Sequence, residues 1–362
     1  MNRLLITNSF NNADMYYITK TLVPDPFIYI STNKKNYILA NSLEFERIKK
    51  DVENKIEVVQ LEKYKNKSKV KFKKTTLATI TYLFLKEKKI NSLIVNQNFP
   101  LIYADFLRKN KIKIKIKNPF FDRSIKTKEE IKKIKSVQNI LDKALNRILQ
   151  LIKKSTVKNN FLYLENKILT SEFLRKEIEN FLLFNEIESP EGIIVSSGKA
   201  TAYPHELGSG PIETGVPIII DIYPRSRVSR YFSDMTRTVC KGKPKNQKIH
   251  EIYNIVLEAQ KAAYKKIKPG ISTKKIHEAV VSTFKKYKME KYFIHNTGHG
   301  VGLALHEDPG IPDKTILKEG MIITNEPGLY IPDLGGVRIE DIILVTKTGY
   351  KTLTNAQKKF IV

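Results

Sequence analysis

Five side chains that can bind divalent cations lie in three separated stretches of this 362-residue chain. They occur in the motifs IIIDIYPR, SDMTRT, NTGHGVGL, TNEPG and VRIEDI, and they are Asp221, Asp234, His299, Glu326 and Glu340. Four carboxylates and one imidazole suit two divalent ions that share bridging carboxylates, and such centres activate water for attack on a substrate. A single Asp at the end of an apolar strand would ordinarily be a turn or cap residue, so the five together indicate a metal site.

The four acids occur in two similarly spaced pairs. The apolar run PIIID (217–221) is followed by an acid 13 residues later, and MIITNE (321–326) by one 14 residues later. Each pair is typical of a hairpin whose first strand is buried and ends at a carboxylate. Helical stretches are predicted before the hairpins, over 127–153 and 163–185 and over about 246–267 and 273–288. Two such halves facing each other would bring the four carboxylates together.

The motifs resemble those of the pita-bread metallopeptidases, which include Xaa-Pro aminopeptidase, Xaa-Pro dipeptidase (prolidase) and methionine aminopeptidase. HNTGHGVGLALHEDPG and TNEPGLY with GGVRIEDI carry the resemblance, which is strongest from about Ile193 to Val345 and extends over essentially the whole chain. It implies an α+β protein with a catalytic pita-bread (creatinase/aminopeptidase) fold over residues 121–362. It also implies a smaller N-terminal α/β creatinase-like domain over residues 1–120. The duplicated layout of helices and hairpins belongs to that fold.

The resemblance further implies how the five ligands are used. Asp221 is expected to chelate one ion, His299 and Glu326 to bind the other, and Asp234 and Glu340 to bridge the pair. In enzymes of this kind a metal-bridged hydroxide attacks the scissile carbonyl, and Glu326 would accept the proton of the nucleophile. The oxygen-rich ligand set favours Mn²⁺, with Co²⁺, Fe²⁺ or Zn²⁺ left open.

Residues outside the ligand set are also implied by the resemblance. His295 and His306 are expected to act in catalysis by positioning the peptide and hydrogen-bonding the tetrahedral intermediate. Thr236 is expected to support the ligands. The alternative for the signature histidines is a surface or capping role. His250 and His277 lie in lysine-rich helical stretches and are expected to be surface residues. The expected substrate-binding residues are His205, His295, His306 and Arg338, the last with a strand-surface cation as its alternative.

One segment departs from the family pattern. The usual glycine two residues after the first Asp is replaced by Tyr223, and the gap between the two acids of this hairpin is about two residues longer than is typical. The hairpin tip PRSRVSRYF is therefore expected to be enlarged. The tip carries three arginines, Arg225, Arg227 and Arg230. One of them could contact a substrate carboxylate and favour dipeptides. The alternative is that all three are solvent-exposed side chains of a loop.

The N-terminal 120 residues alternate short apolar runs with helical stretches, which indicates a small α/β sheet. KIKIKIK (111–117) alternates with period two and predicts a half-buried strand with a lysine-coated outer face. NPFFDRSIK (118–126) is interpreted as the linker, and Thr127 with Glu130 forms a capping-box pattern that opens a long helix. Predicted strands are 27–31, 36–40, 56–60 and 92–96, and predicted helices are SLEFERIKKDVE and TTLATITYLFLKEKK.

The net charge of +27 raises the question of nucleic-acid binding. However, 53 of the 64 cations are lysine, and residues 201–240 and 319–346 contain none. Specific phosphate and base recognition favours arginine, so no specific nucleic-acid partner is expected. One cysteine excludes an intramolecular disulfide and fits a reducing compartment. No apolar run is long enough to span a membrane and no signal peptide is recognisable, so a cytoplasmic protein without a membrane partner is expected.

The function predicted from these observations is metal-dependent hydrolysis of the bond between an N-terminal residue and proline. The expected enzyme is a metalloexopeptidase, either Xaa-Pro aminopeptidase or Xaa-Pro dipeptidase, and it is expected to form a homodimer. The alternatives are a catalytically inactive pita-bread binding or chaperone protein, disfavoured because all five ligands are kept, and methionine aminopeptidase. The latter lacks a comparable N-terminal domain. Creatinase departs at the ligand positions.

Overall fold

A computed structural model of the chain describes residues 2–52, 54–117 and 121–362. The chain divides into two compact units, Met1–Arg123 and Ser124–Val362. Residues 118–120, where the predicted linker begins and where the predicted domain boundary falls, lie outside the described residues. In the described ranges no helix has both the length and the apolar character needed to cross a bilayer.

The first unit is a six-stranded sheet with helices on it, ordered β4-β3-β2-β1-β5-β6. The strands β1, β2 and β3 are antiparallel neighbours, whereas β4, β5 and β6 add in parallel. The strands are β1 (Arg3–Thr7), β2 (Phe27–Ser31), β3 (Asn36–Ala40), β4 (Ile56–Gln60), β5 (Ser92–Val95) and β6 (Lys113–Ile116). The helices are α1 (Ala13–Thr19), α2 (Phe45–Asp51), α3 (Glu62–Lys71), α4 (Leu77–Glu87) and α5 (Leu101–Lys109).

The predicted small α/β sheet is confirmed, including all four strands named from the sequence and the strand in KIKIKIK. That last strand lies at the sheet edge with Ile114 half-buried and Ile116 exposed, so it is covered less than its alternation predicts. The lysine run KYKNKSKVK forms most of α3, which was not expected to be helical. Only Tyr64 and Ser68 of that helix are buried, so it shows little apolar periodicity.

The second unit repeats one arrangement, in which two helices cover a small antiparallel sheet. In the first half α6 (Lys128–Lys154) and α7 (Ser171–Phe184) pack on the sheet β11-β12-β14 through one apolar cluster. In the second half α8 (Gln247–Tyr264) and α9 (Thr273–Lys286) pack in the same way near β17 and β20. The predicted duplication of helices is therefore confirmed, and the second sheet has the order β16-β15-β17-β20-β21.

The strands of the second unit are short. In its first half they are β7 (Thr156–Lys158), β8 (Phe161–Leu164), β9 (Lys167–Ile168), β10 (Ile187–Glu188), β11 (Ile193–Ser197), β12 (Pro217–Ile222), β13 (Arg225–Ser226) and β14 (Met235–Cys240). In its second half they are β15 (Gly298–Gly300), β16 (Glu307–Ile311), β17 (Ile322–Asn325), β18 (Gly328–Ile331), β19 (Gly335–Arg338), β20 (Asp341–Val345) and β21 (Tyr350–Thr352). Single 3₁₀ turns span Phe121–Ser124, Gly198–Ala202 and Glu290–Tyr292.

The capping box at the start of α6 is confirmed. The Thr127 hydroxyl accepts a hydrogen bond from the Glu130 N–H at 3.3 Å, and the Glu130 carboxylate accepts one from the Thr127 N–H at 2.7 Å. The second predicted helix begins later than expected, because residues 163–164 and 167–168 lie in strands that a two-residue turn joins. The two tight turns of this β7-β8-β9 sheet place both central residues at positive φ, as two-residue hairpins require, and these are Asn159, Asn160, Glu165 and Asn166.

Candidate metal centre

The first hairpin of the second unit places two of the predicted acids beside each other. Asp221 lies near the end of β12 and pairs across the ladder with Thr236 in β14, while Asp234 immediately precedes that strand. Every residue of β12 and β14 is buried, because Ile and Val side chains fill the core around them. Both carboxylates are thereby held at the end of a buried strand pair.

The second hairpin places the other two acids in the equivalent way. Asn325, the last residue of β17, pairs with Asp341, the first residue of β20, so that Glu326 and Glu340 flank this pair. His299 enters from the neighbouring β15. Its two glycine neighbours are required there, because a Cβ on Gly298 would lie 2.3 Å from the carbonyl oxygen of residue 324 and one on Gly300 2.3 Å from that of residue 308.

The two hairpins meet at the site. The Glu340 N–H donates to the carbonyl oxygen of Thr236 at 3.0 Å, and the Thr236 hydroxyl lies 2.8 Å from Asp221 Oδ1 and 2.7 Å from Glu340 Oε2. His299 Nε2 is 3.3 Å from Glu326 Oε1 and 3.6 Å from Asp234 Oδ2. The structure therefore brings all five predicted ligands into one cluster. Within it, ligand atoms of Asp234, His299 and Glu340 lie within 4.8 Å of one another.

The electrostatics of the cluster favour a bound cation. Burial and the nearby carboxylates raise the pKa of Asp234 and of Glu340 well above their ordinary values. Burial alone would raise the pKa of Glu326 as well, but the hydrogen bond and charge of His299 lower it to about 2. Burial would likewise lower the pKa of His299, and its interactions with Glu326 raise it instead. Closely packed carboxylates with one imidazole fit divalent metal ions, which would relieve this repulsion.

A second group of residues forms a hydrogen-bonded chain beside the cluster. Arg338 Nη2 donates to Asp221 Oδ2 at 2.5 Å, and Nη1 donates to the Tyr330 hydroxyl at 2.7 Å. His295 Nδ1 lies 2.7 Å from the carbonyl oxygen of Asn296, which can only accept, so Nδ1 carries the proton. The Tyr330 hydroxyl then donates to His295 Nε2 at 3.0 Å.

Tyr330 has no role in the expectations drawn from the sequence. It lies in the motif NEPGLY, but its contacts with Arg338 and His295 depend on the fold. Burial raises the pKa of Tyr330 to about 12, so the phenol stays neutral and keeps the proton it donates. Burial lowers the pKa of His295, which keeps that imidazole neutral as well.

The other predicted substrate-site histidines lie near the same cluster. The His306 ring centroid is 4.2 Å from that of His299, and burial together with the His299 charge lowers the pKa of His306. His205 is exposed. Its charge contributes to the lowered pKa values of His295 and His306, and the carbonyl of the preceding Pro204 accepts from Arg338 at 3.4 Å.

Two expectations are corrected. His250 and His277 are half-buried rather than fully on the surface. His250 stacks on Phe360 with ring centroids 5.3 Å apart. His277 Nδ1 lies 2.8 Å from the hydroxyl of Thr297.

In the hairpin tip, two of the three arginines contact the same carboxylate. Arg225 Nη2 and Arg230 Nη1 lie 2.6 and 3.0 Å from Glu188 Oε1. Arg227 is exposed.

Comparison with known proteins identifies the family. The profile of metallopeptidase family M24 matches residues 132–347. The chain is 34% identical over 359 residues to an Xaa-Pro dipeptidase of Pyrococcus horikoshii, a match that covers 97% of this chain and 92% of that protein. It is 41% identical over 243 residues to an Xaa-Pro dipeptidase of Pyrococcus furiosus, covering 66% of this chain and 65% of that protein.

A solved structure agrees with these matches. The crystal structure of the prolidase from Pyrococcus horikoshii OT3 is similar with a TM-score of 0.79 and 32% identity, over 99% of this chain and 95% of that one. The predicted pita-bread fold with an N-terminal α/β domain is confirmed. The predicted metal-dependent peptidase is confirmed as well, because the chain matches a metallopeptidase family, and that class of enzyme uses divalent metal ions. The chain belongs to metallopeptidase family M24.

Proposed function

We propose that this chain is an Xaa-Pro-cleaving metalloexopeptidase, which hydrolyses the bond between an N-terminal residue and a following proline. The observation that carries the proposal is the buried cluster of four carboxylates and His299, with the chain of Arg338, Tyr330 and His295 beside it. The names of the Pyrococcus relatives supply the substrate class. Methionine aminopeptidase activity is the alternative that the substrate test must exclude.

The proposed centre holds two divalent ions. Asp221 would bind one, His299 and Glu326 the other, and Asp234 and Glu340 would bridge them. Support comes from the Thr236 hydroxyl that joins Asp221 to Glu340 and from the short distances around His299 Nε2. Mn²⁺ is the proposed metal because the ligands are mostly carboxylate oxygens. When bound, such ions polarise a carbonyl and lower the pKa of water.

Glu326 is the proposed proton acceptor. A carboxyl with a pKa of about 2 is a weak base, but that value depends on a hydrogen bond from His299. A metal ligand must be the neutral imidazole, which presents a lone pair at the coordinating nitrogen. That hydrogen bond would be absent with His299 Nε2 bound to a cation, so the pKa of about 2 describes the Glu326 carboxyl only in the metal-free cluster.

The other residues bind and orient the peptide. The neutral His306 can donate a hydrogen bond where negative charge develops on the scissile carbonyl oxygen. The proposed role of His295, whose ring nitrogens contact the Asn296 carbonyl and the Tyr330 hydroxyl, is to position the peptide. Arg338 fixes Tyr330 and Asp221 at once, which keeps the His295 side of the site in place. Proline has no amide N–H, and these groups can orient the scissile carbonyl and the proline ring without that donor.

Further features of the function are proposed from the family resemblance and the loop contacts. Arg225 and Arg230 are engaged by Glu188, which leaves Arg227 as the proposed contact for a dipeptide carboxylate. Residues 121–362 are the proposed catalytic domain and residues 1–120 an N-terminal domain that assists formation of a homodimer. Sedimentation velocity tests the dimer, and dipeptide turnover by Arg227→Ala tests the carboxylate contact.

A substrate panel tests the proposed function. Metal-stripped protein is reloaded with Mn²⁺ and offered Ala-Pro, Ala-Pro-Ala, Ala-Ala and Met-Ala-Ser at equal concentrations. We expect turnover of one or both proline peptides and none of Ala-Ala. Comparable turnover of Ala-Pro and Ala-Ala contradicts the proline requirement, and preferential release of methionine identifies the methionine enzyme instead.

A further inference from the structure

A buried ion pair joins the start of the second unit to the segment that carries His306. Lys126 Nζ lies 2.6 Å from Glu307 Oε1, and the two side chains are 1% and 3% exposed. The residues are 181 positions apart in the chain. Burying two charges is costly unless they are closely paired. Removing either side chain of this short, buried pair would therefore leave an uncompensated charge in the interior.

Backbone contacts hold the segment that carries Lys126 in place. The Lys126 N–H donates to the carbonyl oxygen of Gly320 at 2.9 Å, and Ile125 forms a bridge with Met321. Lys126 Nζ also donates to the carbonyl oxygen of Ser124 at 3.3 Å. These backbone contacts with residues 320 and 321 hold the ammonium group beside Glu307.

The carboxylate of Glu307 organises the loop 301–306. Its Oε2 accepts a hydrogen bond from the Ala304 N–H at 3.3 Å, and a Cβ on Gly302 would lie 2.1 Å from Oε1, so the loop backbone packs directly on the carboxylate. The Gly302 N–H donates to the carbonyl oxygen of Ala304 at 3.1 Å. The Gly302 carbonyl accepts from the Phe232 N–H at 2.7 Å, which ties the loop to the first hairpin.

His306 is the last residue of this loop and the neighbour of Glu307, and its ring stands against that of His299. We infer that the Lys126–Glu307 pair is a positioning pair for His306: the neutralised carboxylate fixes the loop 301–306 and so holds the imidazole at the metal cluster. The inference rests on the proposed peptidase function, in which His306 contacts the substrate.

The test replaces Lys126 with methionine, which keeps the chain length and removes the charge. Glu307 is then buried without its cation, and the loop must rearrange to admit a proton or water. We expect kcat for Ala-Pro to fall about 10- to 100-fold with KM within about 3-fold, because a displaced catalytic group costs rate rather than binding. Mn²⁺ content should stay unchanged, and hydrogen exchange should accelerate in the peptide 300–311.

Three variants control the experiment. Lys126→Arg keeps the charge and should restore most of kcat. Lys245→Met removes an ion pair of equal length, 2.6 Å to Glu213, on the surface, and should leave kcat and exchange unchanged. If Lys126→Met does not fold, Glu307→Gln makes the milder change in the same pair and should show the same slower kcat and faster exchange.

The outcomes separate this inference from the proposed function. Wild-type kcat and wild-type exchange in Lys126→Met, with only a lower melting temperature, would show that the pair merely stabilises the fold and would overturn the inference. If the wild-type protein does not cleave Ala-Pro at all, the proposed function fails, and the exchange of peptide 300–311 still decides whether the pair fixes the loop.

Discussion

Replacing Thr236 with valine removes one buried hydroxyl from the centre of the metal cluster. That hydroxyl lies 2.8 Å from Asp221 Oδ1 and 2.7 Å from Glu340 Oε2, and it accepts a hydrogen bond from Arg338 Nε at 3.1 Å. Valine has nearly the same shape, so the side chain still fills its place between the strands. The change therefore removes the polar contacts of two proposed ligands without opening a cavity.

The expected size of the effect follows from those contacts. One hydroxyl proton can serve one carboxylate at a time, and a hydrogen bond to a charged group contributes about 1.5–3 kcal/mol. That range corresponds to roughly 10- to 150-fold in an equilibrium constant, since about 1.4 kcal/mol is tenfold. Partners that orient metal ligands typically change metal affinity by about 10- to 100-fold. We expect Thr236→Val to weaken Mn²⁺ binding by this amount.

Calorimetric titration of Mn²⁺ into metal-free protein measures the effect, with Thr236→Ser as the matched control. Serine keeps the hydroxyl and should bind Mn²⁺ within about threefold of the wild-type affinity. A Thr236→Val protein with wild-type Mn²⁺ affinity would refute the argument that this hydroxyl orients Asp221 and Glu340. A parallel urea titration shows whether the variant has lost stability instead.

Three further predictions concern separate parts of the second unit. Arg237→Met should lower the free energy of unfolding by about 3 kcal/mol in urea titrations, because it removes the buried ion pair with Asp341 at 2.8 Å and the guanidinium hydrogen bonds to the carbonyl oxygens of Glu340 and Ala356. His306→Ala should keep its Mn²⁺ content and lose about 100-fold in kcat; loss of metal would make it a ligand. Burial raises the pKa of the Cys240 thiol to about 11, so at pH 8 the thiol stays protonated and should react with a disulfide reagent only after unfolding. Prompt reaction in the native protein would contradict this.

The cluster of the five proposed ligands could be predicted because each acid lies in a short motif, and Asp221 and Glu326 each lie at the end of an apolar run. The apolar run and the spacing of Asp221 and Asp234 are local properties of the sequence. In the fold, the segments that carry these acids form the buried antiparallel pair β12 and β14. Tyr330 could not be assigned in this way. Its role depends on Arg338 and His295, which reach it only when β18 and β19 pair and residue 295 folds over them.

The remaining discrepancies also have physical causes. Helix α3 was missed because two buried residues leave almost no apolar stripe in a run of lysines. Residues 163–164 and 167–168 form strands because the turn between them, at Glu165 and Asn166, has positive φ at both residues, a conformation that an α-helix does not contain. The partner of Glu307 was invisible from the sequence, since nothing local relates it to Lys126.

The most direct test of a two-metal Xaa-Pro peptidase is a stepwise Mn²⁺ titration of metal-free protein that follows bound metal and Ala-Pro hydrolysis in the same samples. The prediction is that occupancy approaches about two ions per chain, since the ligand set exceeds what one ion needs, and that turnover rises with it. Glu340→Ala, which removes a proposed bridging ligand, should show lower occupancy and no turnover. Full Ala-Pro hydrolysis by the metal-free protein, or by Glu340→Ala, would contradict the account.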